Sequence, residues 1–120
     1  MLSKVQSNQT NFTSVVRFPA HYAAELNNKN RTTVLKQLEK LVNNGNDDKV
    51  VISHKMGSGY NTLSMWVFKK EGGKVFQNSD FCNSYVSNIL TGYDSLGHMY
   101  QRATKSFKES DLPGKFYDYI

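Results

Sequence analysis

The sequence predicts an α+β fold: a small antiparallel sheet, made of a three-strand meander plus an N-terminal strand, packed against two to three helices. Three observations lead there. Apolar residues recur at helical spacing between residues 31 and 43; β-branched and aromatic runs punctuated by glycine fill 49–77; helical spacing returns beyond residue 80. With 120 residues, the chain suits a single domain over 1–120, able to bury roughly two thirds of its unfolded surface.

Residues 1–11 are polar and rich in Asn, Gln and Ser, which predicts a loose end. Phe12 to Phe18 reads as a strand that Pro19 stops. Pro19 to Leu26 suits a short helix, with Pro at its first position and Tyr22, Ala23 and Leu26 at helical spacing. From about Arg31 to Asn43, Val34, Leu35, Leu38, Leu41 and Val42 form one apolar stripe. Asn30 is placed to cap that helix and Gly45 to end it in the left-handed region.

Then the period changes. Lys49–Met56 and Tyr60–Lys69 read as strands joined by Gly57-Ser58-Gly59, and Lys74–Gln77 returns after Glu71-Gly72-Gly73. Alternation puts Leu63, Met65 and Val67 on one face, and Thr62, Ser64, Trp66 and Phe68 on the other. Further on, Phe81, Tyr85 and Ile89 are spaced by four, with Ser79 as a cap, and predict a helix that Gly92 interrupts. Leu96, Met99, Tyr100, Ala103 and Phe107 form a second stripe, closed by Pro113-Gly114. Residues 111–120 end in an aromatic tail, whose Phe116, Tyr117, Tyr119 and Ile120 are expected to add a strand to the sheet edge or to dock on a protein partner.

Cys82 is the only cysteine, so an intrachain disulfide and thiolate metal clusters are excluded. The first residues lack the apolar run of a signal peptide, and no stretch approaches the ~20 apolar residues of a membrane span. An intracellular, cytoplasmic protein is the expectation. The formal net charge of +5 is uneven: residues 1–79 carry +6 and residues 80–120 carry −1. Such asymmetry suits a side that faces a polyanion, although ordinary solubility also accounts for it.

Catalytic patterns are absent. His21, His54 and His98 lie in three different elements, and the carboxylates are scattered. No catalytic residue, metal ligand or cofactor is assigned. Binding residues are better marked. After His54 and Lys55, the run Gly57-Ser58-Gly59-Tyr60 can turn successive amides toward one anion, with Lys55 and Ser58 assisting; the same run also serves as a plain hairpin turn. His98, Arg102 and Lys105 fall on one line opposite the last apolar stripe, where phosphates can bind. Tyr60, Trp66 and Phe68 can stack on bases if their face is open, and Phe68 is core if it is covered. The nucleic-acid-binding candidates are therefore His54, Lys55, Ser58, Tyr60, Trp66, Arg102 and Lys105.

The order of a strand, a helix pair, a three-strand meander and a helix resembles that of the small RelE-type ribonuclease toxins. Those proteins place Lys, Arg, Tyr or His on the meander and its C-terminal flank. His54, Lys55 and Tyr60 fit that arrangement, whereas the meander has no arginine and the long C-terminal helical region departs from it. The double-stranded-RNA-binding fold shares a helix, three strands and a helix, but its basic cluster is replaced here by Thr91-Gly92-Tyr93-Asp94. The main expectation is a small, basic, non-enzymatic binding protein for nucleic acid, RNA above DNA, or for a nucleoprotein. Two alternatives stand beside it: a phage or mobile-element inhibitor or adaptor that binds another protein, and a small RelE-like ribonuclease.

Overall fold

The computed structural model describes residues 13–57, 60–83 and 95–120. Strand β1 (Val15–Arg17) leads into helices α1 (Ala20–Ala24) and α2 (Asn28–Val42). Strands β2 (Lys49–Gly57), β3 (Tyr60–Glu71) and β4 (Lys74–Asn83) follow, then α3 (Leu96–Ala103), β5 (Lys108–Pro113) and a 3-10 turn (Gly114–Tyr119). The architecture is α+β. Among the described residues the sheet has five strands in the order β1-β2-β3-β4-β5. β1 runs parallel to β2, which the helical crossover through α1 and α2 makes possible, and every other pair is antiparallel.

Local chemistry explains most boundaries. Gly72 and Gly73, at φ 58° and 77°, form the tight turn that pairs Glu71 with Lys74; two successive positive φ angles favour glycine at both positions. Gly45, at φ 84°, follows α2 as expected. The cap of α2 is Asn27 and not Asn30: the Asn27 side chain accepts from the Asn30 amide at 2.9 Å, so the helix starts one turn earlier than the sequence suggests. Pro19 is likewise the cap of α1 and not its first residue.

The described helices pack on one face of the sheet. Val50, Ile52, Leu63, Met65, Val67 and Cys82 meet Val34 and Leu41 of α2 and Leu96, Met99, Tyr100 and Ala103 of α3. Each such aliphatic side chain contributes roughly 1.5–3 kcal/mol by leaving water. Leu38 and Phe107 pack against this core partly buried, and Leu35 is 54% exposed, so the predicted stripe is narrower than the sequence suggests. A buried polar knot closes one end. Ser14 and Tyr100 each donate a hydroxyl to one oxygen of Asp48, and Asn46 Nδ2 donates to the Tyr100 hydroxyl at 2.9 Å. A carboxylate with two donors is tolerable where a bare one is not. Burial, together with the bond to Asp48, pushes the Tyr100 phenol well above its usual range.

Three expectations are corrected. Ser79–Asn83 belongs to β4, so the helix drawn from Ser79 through Phe81 does not form there; Tyr85, Ile89 and Gly92 lie outside the described residues. Phe81 alternates with Asp80 and Cys82 across the sheet, and Asp80 is fixed by Arg102 of α3 at 2.8 Å, a tertiary contact that spacing cannot reveal. Residues 108–113 form an edge strand in place of a helix end. Residues 111–113 of the tail end the edge strand β5, while Phe116, Tyr117 and Tyr119 fold in the 3-10 turn and add no strand. The loose end over 1–11, Phe12 and the turn residues Ser58 and Gly59 also lie outside the described residues.

Candidate nucleic-acid interface

Register places the side chains of the second sheet face. Directly paired antiparallel residues point the same way. The pairs Lys49↔Phe68, Val51↔Trp66, Ser53↔Ser64 and Lys55↔Thr62 therefore share the face opposite the helices. Gln77, Ser79 and Phe81 join them through pairing with Phe68, Trp66 and Ser64. Lys108 joins through Gln77, and Arg17 through Val51.

Trp66 and Phe68 stack here, with ring centroids 6.3 Å apart and planes 18° from parallel. Trp66 is 39% exposed and Phe81 is 72% exposed, diagonal to it across β3 and β4. Phe68 is half-buried and belongs to this open face, not to the core beneath the helices. A groove of about 710 Å³ runs beside the pair, lined among others by Arg17, Val51, Trp66, Phe68, Leu112 and Ile120. It is shallow and open to solvent, and Asp111 is among its other lining residues.

The 3-10 turn forms one wall. Lys49 Nζ donates to the Tyr117 carbonyl at 2.6 Å and lies 4.6 Å from that ring's centre. Arg17 donates to the Ile120 carbonyl at 3.0 Å. Tyr117 donates its hydroxyl to the Phe68 carbonyl at 3.4 Å. Burial, then Asp47, Asp48 and Asp118, push the Tyr117 phenol up to about 12.

The predicted binding residues divide between the two faces. Trp66 and Lys55 lie on the open face, with Tyr119 and Ile120 at the groove. Phe116 and Tyr117 belong to the same turn. His54 lies on the helix side: its Nδ1 is 3.2 Å from His21 Nε2, and its ring packs 4.6 Å from Tyr22. Arg102 is held there by Asp80. Lys105 follows the end of α3, exposed, so the basic line of His98, Arg102 and Lys105 is not one continuous helical row. His98 instead shares a 2.7 Å bond with Ser95. Tyr60 pairs with Gly57 in β3, while its side chain and Ser58 lie outside the described residues.

Sequence reasoning missed Arg17, Lys49, Phe81 and Lys108. Alternation marks each side chain's parity within its own strand, but only the pairing register joins them on one face. Among the described residues, no group of three or more His, Cys, Asp and Glu side chains is placed to hold a metal ion. Among those residues, too, no helix is long and apolar enough to cross a membrane. Comparison with protein-family models, with curated proteins and with solved structures found no match.

Proposed function

We propose that this chain is a non-enzymatic binding protein for single-stranded nucleic acid, RNA foremost, which lies across the open sheet face. The observation that carries this is the stacked Trp66–Phe68 pair on an uncovered face, extended by Phe81 and flanked by Arg17, Lys49, Lys55 and Lys108. Unpaired bases offer flat surfaces to exposed aromatic rings, and phosphates seek the surrounding cations. A duplex hides its bases, so an aromatic sheet face favours single strands. Ser53, Ser64 and Ser79 share the face and can meet a ribose 2′-hydroxyl, which is why RNA is placed above DNA.

Titration of the full chain with labelled oligouridylate, the matching DNA strand and a duplex, each at two salt concentrations, tests this. Single strands should bind tighter than the duplex, with affinity falling steeply as salt rises. Affinity weaker than ~10⁻⁴ M for all three at physiological salt would leave the groove to a protein partner, the inhibitor or adaptor alternative. Cleavage of the RNA that is lost on changing His54 would favour the ribonuclease alternative.

A further inference from the structure

We propose that the segment Gly114–Ile120 is an autoinhibitory strap that occupies the phosphate positions of the groove and must swing away before a strand binds. This rests on the groove being a single-strand site, and it adds the regulation of that site.

Two cations of the open face, Lys49 and Arg17, are engaged by the strap. Lys49 stands across from Phe68 and donates to the Tyr117 carbonyl; Arg17 stands across from Val51, next to Trp66, and donates to the Ile120 carbonyl. A carbonyl oxygen and a phosphate oxygen ask for the same donor. A strand that uses Lys49 and Arg17 therefore competes with the strap for them. Tyr119 and Ile120 also line the groove and narrow the approach to Trp66.

The strap is seated shallowly. None of its residues is buried, Phe116 is 44% exposed and Tyr119 82% exposed. The end beyond Phe116 buries little apolar surface, and such segments open at low free-energy cost. Its fixed point is Gly114, where an added Cβ would lie 2.2 Å from the Gly73 carbonyl oxygen. That atom is backbone in a tight turn and cannot yield. Beneath this end, Val75 shares the face with Lys70 and is fully buried while standing outside the main core cluster.

The experiment compares the full chain with Gly114→Ala and with a chain ending at Pro113. Gly114→Ala keeps every strap side chain but denies the strap its seat. Anisotropy with labelled oligouridylate should show both variants binding about tenfold tighter at low salt, the scale of two charge-assisted donors no longer contested. The slope of log affinity against log salt should stay the same, because once the strap has left, the bound strand meets Lys49 and Arg17 in every form. Without RNA, acrylamide should quench Trp66, the only tryptophan, more readily in Gly114→Ala. A free peptide of residues 114–120 should compete with RNA for the shortened chain. If the full chain binds RNA and the variants, folded by circular dichroism, bind no tighter, the strap is overturned and the groove stands. If no form binds RNA, both fall. If neither variant folds, the segment is part of the fold and the strap is overturned.

Discussion

Trp66 and Phe68, two residues apart on β3, hold their rings 6.3 Å apart and 18° from parallel on the face that the described helices leave uncovered. Their immediate neighbours Met65 and Val67 are fully buried on the other side. One strand thus supplies core and contact surface in alternation, and the two functions are separable by substitution.

The core side is tested on α2. Leu41, 3% exposed, should cost ~2–5 kcal/mol when changed to Ala, by transfer and cavity terms. Leu38, partly buried, should fall toward the lower end of that range. Leu35→Ala should stay within about 0.5 kcal/mol, because that side chain is 54% exposed. Equilibrium denaturation measures all three, and equal losses at 35 and 41 would contradict the packing described.

The polar knot makes a separate prediction. Tyr100→Phe removes the hydroxyl that serves both Asp48 and Asn46. Stability should fall by ~1–3 kcal/mol, since a buried carboxylate oxygen loses its donor. RNA affinity should be unchanged, because the knot lies at the helix side of the sheet. Urea melts and binding titrations of the same preparation separate the two effects.

Alkaline pH should destabilise the fold. Tyr22 is pushed up to about 12 by burial, then by Cys82 and Glu25, and Tyr117 likewise by burial, against 10.0 for a free phenol. The unfolded chain releases these protons first. Stability is therefore full below pH ~10 and is lost as pH rises from there through 12. Melting temperature should hold level up to that point and then decline, with a gentler decline in Tyr22→Phe.

Charge on the two sheet faces should act differently. Lys55→Gln should reduce the salt slope of single-strand binding by about 0.7, the share of one phosphate contact. Arg102→Gln should leave the slope unchanged, because Arg102 is paired with Asp80 on the helix side. A slope that responds to Arg102 and not to Lys55 would move the binding surface to the helices.

Elements set by local chemistry were legible in the sequence. The period of Val34, Leu38 and Leu41, the Gly72-Gly73 turn and the alternation of Leu63, Met65 and Val67 each carry their own physical cause. What depended on distant partners was not. Asp80 and Cys82 face the helices and Phe81 faces away, yet the spacing of Phe81 and Tyr85 imitates a helix. Lys108–Pro113 is charged and polar, and only pairing with β4 makes it a strand. The candidate site was half visible for the same reason: Trp66 and Lys55 could be proposed from their own strands, whereas Arg17, Lys49 and Phe81 reach them only through register.

The central claim is that bases stack on the open face, and Trp66→Ala tests it most directly. The side chain is 39% exposed and lies outside the core cluster, so the variant should fold. Its affinity for oligouridylate should fall by ~1–3 kcal/mol, the worth of one base–aromatic stack, with the salt slope unchanged. Equal affinity of the folded variant and the parent chain would contradict the account.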